Sequence, residues 1–311
     1  MTAHRTLRVV ATGPLSTLQD LGRPGWFASG VGVSGAADRG SHALANRLVG
    51  NVATAASIEC LLGGLELHAA SAATLAVTGA PAPITVDGTP MGHSTVIHLT
   101  AGQTLRLGMA EAGLRVYVAV RGGFDVEAVL GSRSRDTLSG IGPEPLSAGV
   151  DLAIGSESDR PSPVDVAPVP VITTAPVIAH VMLGPREDWF ADPDDLFVGR
   201  WEISEHTDRV GARLIRNPGF PSLIRLNDKE LPTEGMPLGA IQVPPSGEPV
   251  VFLADHPITG GYPVIGTVVD DDLDSLAQAR PGQSIIFRPV PGGRARHQQL
   301  DPQLDEDKQT P

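Results

Sequence analysis

The stretch Gly239-Ala-Ile-Gln-Val-Pro-Pro-Ser-Gly-Glu-Pro-Val-Val-Phe-Leu-Ala-Asp-His-Pro-Ile-Thr-Gly-Gly-Tyr-Pro263 sets the reading of this chain. An apolar run from Pro249 to Ala254 meets Asp255, and four residues later the chain reaches Thr259-Gly260-Gly261-Tyr262-Pro263. A strand followed by a carboxylate and paired glycines is how a backbone is brought close to a ligand or through a tight corner.

The same punctuation recurs outward from it. Thr6 to Ala11, Thr74 to Thr78, Pro83 to Val86, Gln103 to Leu107 and Leu114 to Val120 read as short strands bounded by turn residues. So do Val177 to Leu183, Arg200 to Ile203, Gly239 to Val243, Val264 to Val269 and Gln283 to Val290. Asp87-Gly88 between two such runs marks a hairpin. Helices are few: Ala36 to Val49, with Ser34 as N-cap, Asp38 in the first turn and Gly50 closing it, then Asp271 to Ala279. Arg186 to Phe190 opens a short third.

Ala101 to Leu107 echoes Pro281 to Phe287, and Val116 to Gly123 echoes Val250 to Gly261, in reversed order. This is recurrent barrel punctuation rather than a repeat. The Pro- and Ser-rich stretch Ser156 to Pro176 reads as a linker. The expectation is a mainly β protein with few short helices and two barrel-like lobes, 1–165 and 166–290. A polar, charged tail, 291–311, is expected to be disordered.

Gly 36 and Pro 28 together exceed a fifth of the 311 residues, which fits many turns between short strands. A net charge of -12 argues against nucleic acid or an anionic membrane as the main partner. Cys60, the single cysteine, lies in an apolar run and reads as a buried small hydrophobe. The lack of a disulfide framework, of a signal-like N-terminus and of an apolar run of roughly 18 residues leads us to expect a soluble, cytoplasmic protein.

Lys229 and Lys308 are the only lysines, so no P-loop is present, and His-Glu-x-x-His and paired Cys-x-x-Cys are missing too. No metal site is expected. Four segments carry polar residues at turns. In Thr17 to Trp26, the loop is tied by an Asp20–Arg23 contact or faces a substrate or partner. In Val33 to Arg39, Ser34 is a cap, or the small residues leave backbone N–H groups free for an anion. Arg133 and Arg135, in Leu130 to Asp136, present guanidinium groups to an anion or lie in a solvated turn. In the opening string, Asp255 is a general base or an Asx-turn cap for the Gly pair. Asp208, Arg209 and Arg213 add another charged turn.

At these residues the chain resembles the family of the 5-oxoprolinase C component, also called KipA or allophanate hydrolase subunit 2, which is related to half of the carboxyltransferase domain of urea carboxylase. The resemblance spans roughly residues 7–290 and rests on Thr17 to Trp26, Ser34 to Asp38, Ala45 to Asn51, Tyr117 to Gly123, Gly131 to Ser134, Asp208 to Leu214, Gly239 to Pro244 and Asp255 to Pro263. It implies cyclophilin-like β-barrel lobes and an obligate KipI-like partner, the B component. With a separate A component, the assembly would use ATP to hydrolyse 5-oxoproline to glutamate. ATP would belong to the complex, and no covalent biotin site is implied in this chain. Carried onto this sequence, it makes Asp255, Thr259 and Gln242 the catalytic candidates. Ser34, Asp38, Arg133, Ser134, Gly260, Gly261 and Tyr262 become the candidates for holding a small amide or lactam. Two departures stand out: Asp255-His-Pro-Ile-Thr where the family often carries Asp-Arg-Gln-Thr-Thr, and Arg135 where Thr is common. Allophanate or urea processing, and a non-enzymatic regulator of a kinase, are the alternatives.

Overall fold

The computed structural model describes residues 5–156, 164–184, 186–226, 229 and 231–290. The expected tail and part of the expected linker lie outside the described residues. Eleven strands build the first lobe: β1 (Thr6–Thr12), β2 (Leu15–Gln19), β3 (Ser57–Leu61), β4 (Leu65–Ala69), β5 (Ala73–Gly79), β6 (Ile84–Val86), β7 (Thr89–Met91), β8 (Val96–Leu99), β9 (Thr104–Leu107), β10 (Arg115–Val120) and β11 (Asp151–Ala153). They form two sheets, β11-β1-β4-β9-β6-β7 and β2-β3-β10-β5-β8. Leu65, Leu67 and Ala69 of β4 alternate into the core between them, the period of two that a half-buried strand requires. All six residues of β10 are buried, because helix α1 (Arg39–Leu48) covers its other face with Ala45, Leu48 and Val49. The Asp87-Gly88 hairpin forms as expected. Both residues have positive φ, 49° and 83°, which is the I′ geometry that matches strand twist.

The second lobe is a closed barrel. Its strands are β12 (Val177–Leu183), β13 (Trp201–Ile203), β14 (Gly211–Arg216), β16 (Ala240–Gln242), β17 (Val250–Phe252), β19 (Val264–Val268) and β20 (Ser284–Pro289), with the ribbon β15 (Glu234–Gly235) and β18 (Thr259–Gly260) outside. Closure in the order β12-β19-β16-β17-β14-β13-β20 leaves no open sheet edge. Trp201, Ile241, Val251, Ile265, Ile285 and Phe287 fill it. Helix α2 (Asp270–Ala277) packs along it with three acids in its first turn.

Three expectations shift. The chain still pairs with the first lobe at Asp165 to Ala167, through Val96 N–H to Asp165 O (2.8 Å) and Ala167 N–H to Ser94 O (2.9 Å). The crossing therefore lies within 168–176, not at 165. Helix α1 starts at Arg39 rather than Ala36 because the N–H groups of Ala36, Ala37 and Asp38 go to Asp20 O, Glu59 and the Tyr117 oxygen and Asp38 is extended. The cap is Asp38, not Ser34, and its Oδ1 accepts the Ser41 N–H at 2.8 Å. Arg186 to Phe190 yields only a 3-10 turn, Glu187–Trp189.

The lobes are bolted together around α1 and α2. Asp274 accepts the Arg39 and Gly40 N–H groups at 2.8 and 2.9 Å. Gln278 accepts the Leu114 and Arg115 N–H groups, both at 2.8 Å, and donates to Asp38 at 2.7 Å. Among the described residues no helix is long and apolar enough to cross a membrane.

Phe287 is 1% exposed at the centre of the barrel, so truncation opens a cavity that rigid strands cannot close. Phe287→Ala should lower unfolding free energy by about 3–5 kcal/mol, read by urea titration. A loss below about 1 kcal/mol would mean that the barrel is not packed as described.

Candidate functional site

Asp255 follows β17, and three chain segments converge on its carboxylate, whose side chain has no exposed surface. Its Oδ1 accepts the Ser34 hydroxyl at 2.6 Å and Arg209 Nη2 at 3.0 Å. Its Oδ2 accepts Arg209 Nε at 2.8 Å, the Thr137 N–H at 2.8 Å and the Thr137 hydroxyl at 2.7 Å. Five donors fill a group that has about four lone-pair sites. Burial pushes the Asp255 carboxyl up, but the charge and hydrogen bonds of Arg209 outweigh it and hold it below the usual range. No lone pair is left for proton abstraction, and none of these bonds reaches the Gly pair. In this structure Asp255 is a clamp between the lobes, with both oxygens committed to Ser34, Thr137 and Arg209.

Arg209 is the other jaw. It bonds Asp255 side-on, pairs with Glu59 of β3 through Nη1, and donates Nη2 to Gly35 O at 2.5 Å. Glu59 also accepts the Tyr117 hydroxyl (2.7 Å) and the Ala37 N–H (3.0 Å), with Arg115 Nε at 3.4 Å. Burial raises the Glu59 carboxyl, yet Arg209 and Arg115 together bring it below its ordinary value. The Tyr117 phenol is driven far up by burial and by Glu59.

The backbone N–H groups from Ala36 to Asp38 are all taken, by Asp20 O, Glu59 and the Tyr117 oxygen, so this stretch is not a vacant anion site. Ser34 donates to Asp255, and Asp38 accepts from the neutral donors Ser41 and Gln278. Asp20 does not pair with Arg23 as expected. It accepts the Ser132 and Ser134 hydroxyls at 2.6 Å each and the Arg133 N–H at 2.6 Å, fixing the 132–134 turn. Ser134 is thereby structural. The Arg23 guanidinium lies under that turn, bonded to Ser134 O, with Nε and Nη1 buried and unpartnered. The Arg133 guanidinium braces Val126 O at 2.8 Å and reaches solvent.

The remaining candidates form an exposed rim. Thr259 and Gly260 pair with Gly235 and Glu234, and Tyr262 is 41% exposed. Gly260 and Gly261 are not in the left-handed region, so positive φ is not what calls for glycine here. A Cβ on Gly260 would lie 2.6 Å from Gln242 Nε2, so glycine is there for close approach. Gln242 Nε2 in turn donates to Tyr262 O at 3.4 Å. Gly32 borders His256 O and the Ile258 side chain, which joins the first-lobe loop to this rim. The structure thus separates the candidates into a buried joint (Ser34, Asp38, Ser134, Asp255) and a rim (Gln242, Thr259, Gly260, Gly261, Tyr262, with Arg133 apart).

Sequence reasoning missed Glu59 and Tyr117. The signal was available: a lone acid inside the apolar run Ser57 to Leu61 has to be paired if it is buried. His256 was also passed over; its Nδ1 meets Pro257 O at 2.9 Å and its ring stacks on Phe252.

Arg209→Met leaves buried Asp255 without its cation and Glu59 with Arg115 alone, and should lower stability by about 3–5 kcal/mol at neutral pH. Asp255 and Glu59 have depressed folded-state pKa values. Each contributes stability that is present above the unfolded pKa and lost as pH falls through the folded one. In Asp255→Asn the acid-side decline should therefore be shallower than in the parent, measured by denaturant titration from neutral pH into the acid limb. Parallel acid limbs would remove Asp255 from this role.

Residues 29–289 match the family described as carboxyltransferase domain, subdomain A and B. The C subunit of 5-oxoprolinase from Escherichia coli (strain K12) is 35% identical over 286 residues, covering 90% of each chain. The crystal structure of TTHA0988 superposes with a TM-score of 0.82 at 33% identity over 93% of this chain, which spans 56% of that polypeptide. The K. lactis urea amidolyase gives a TM-score of 0.84 at 28% identity, this chain spanning 19% of it. With a family model matching residues 29–289 and a relative 35% identical over 90% of both chains, the chain belongs to the carboxyltransferase-domain family, subdomains A and B.

Proposed function

We propose that this chain is the C component of a cytoplasmic, ATP-dependent 5-oxoprolinase, working with a KipI-like B component and a separate A component. The observation that carries this is sequence similarity: 35% identity to the C subunit of a 5-oxoprolinase against 28% to a urea amidolyase.

A lactam is too stable to open in neutral water. Phosphorylating its oxygen supplies a leaving group, after which the site positions water and stabilises an oxyanion. ATP would bind elsewhere in the complex, since this chain has no P-loop. Here the rim residues Gln242, Thr259 and Tyr262 and the backbone beside Gly260 and Gly261 would face the small amide. Asp255 would act at one remove, by fixing the loops that carry them.

A second reading, carboxyl transfer to a urea-like amide, is favoured by the urea amidolyase superposition. It would need biotin carried on another chain.

Mixing this chain with its A and B partners should give 5-oxoproline-stimulated ADP release that no two of the three components show. Tyr262→Ala should lower kcat/KM at least about tenfold with an unchanged melting temperature, because a rim side chain holds no core together. Background turnover in the full mixture sinks the reading. Carboxyl transfer from carboxybiotin in its place selects the second.

A further inference from the structure

A cleft of about 750 Å³ opens between the lobes, and it shares no residue with the Asp255 clamp. That volume is in the range of small-molecule sites, and the junction of two domains is where such sites concentrate. Leu44 of α1 and Val169, Ile172 and Val177 of the crossing segment make apolar walls. At the polar end stand Asp38 and Asp274, and among the described residues no Lys, Arg or His lines the cleft.

The charge there is uncompensated. Asp38 is 4% exposed, and its partners are all neutral: the Ser41 N–H (2.8 Å), the Ser41 hydroxyl (2.6 Å) and Gln278 Nε2 (2.7 Å). The adjacent cation, Arg39, is turned away to Asp270 at 2.6 Å. Asp274 spends its oxygens on backbone N–H groups of Arg39 and Gly40. Burial pushes the Asp38 carboxyl up, and Asp274 adds to it. A buried carboxylate is ordinarily paired with a cation. Here the described residues supply none, and leave an apolar-walled space in front of it.

We propose that this cleft binds a small aliphatic ammonium compound, with its cationic head against Asp38 and Asp274 and its chain along Leu44, Ile172 and Val177. Charge selects this class: a carboxylate-bearing ligand would face two like charges in a site of low dielectric. The cleft is therefore distinct from any place where 5-oxoproline would bind, and the inference stands independently of the proposed function.

The test uses n-hexylammonium, with n-hexanol and n-hexanoate as charge controls of one chain length, titrated into the full chain by NMR and calorimetry. The ammonium should bind most tightly and hexanoate least, with intermolecular NOEs to Leu44 and Ile172 methyls. Asp38→Asn keeps an equally good helix cap and should weaken ammonium binding at least about tenfold. Ser275→Lys, an exposed substitution on the lining, should do the same without touching the cap. It decides the matter if the Asn variant fails to fold. Hexanol or hexanoate binding as tightly, ammonium affinity unchanged in Ser275→Lys, or no saturable binding up to about 10 mM each overturns the proposal.

Discussion

One guanidinium holds this molecule in its shape. Arg209, from the barrel, is 5% exposed and grips Glu59 of the first lobe and Asp255 of its own lobe at once. Only a planar, permanently charged fork can take one carboxylate side-on and still reach another; a lysine ammonium in the same place could not bond both Asp255 oxygens with fixed geometry. Excluding water from these three charges is costly, and the arrangement persists because every oxygen has several donors. Through Asp255 the same contact fixes Ser34 and Thr137, in two of the first-lobe loops that meet the barrel.

This changes what the densest signature strings mean. Ser34 to Asp38, the 131–134 turn and Asp255 look like chemistry because they gather hydroxyls, acids and glycines. In the structure they are partners of one another, and the groups left facing solvent are the plainer ones: Gln242, Thr259, Tyr262 and the backbone between them. The polar residues at the joint are demanded by burial, since every loop N–H closed off between two lobes has to find an acceptor. Asp20, which gathers four donors from two loops, is the clearest case.

Strands β1, β5, β6, β9, β10, β12, β13, β16, β17, β19 and β20 were legible in the sequence, as were the Asp87-Gly88 turn and both helices to within a few residues, whereas β3, β4, β8 and β14 were passed over although β4 alternates. The losses have physical causes. Strand β2 carries Ser16, Thr17 and Gln19, all buried, so its polarity reads as a loop although its surroundings are interior. Helix α1 starts late because the N–H groups of Ala36 to Asp38 are drawn to Asp20, Glu59 and Tyr117, partners that periodicity alone does not reveal. Pairings such as Glu59 with Arg209 join residues 150 positions apart, and local spacing carries no trace of them. Gly260 shows the reverse: glycine was noticed, but what the structure shows is close approach to the Gln242 amide of the neighbouring barrel strand rather than a positive φ.

The joint also relates the cleft to the clamp. The Asp38 backbone N–H donates to the Tyr117 oxygen at 2.8 Å, the Tyr117 hydroxyl donates to Glu59 at 2.7 Å, and Glu59 meets Arg209. With Tyr117 wholly buried and its phenol held far above its ordinary range, that hydroxyl keeps its proton and its direction at any ordinary pH. The floor of the cleft is thus set by the same fixed bonds that position the Asp255 loops. A residue change at Glu59 should disturb both places, and one at the exposed rim neither. Contiguity of this kind makes the two lobes one mechanical unit; it becomes allostery only if the joint has a second arrangement to move to, and a joint in which each oxygen is already satisfied leaves little room for one.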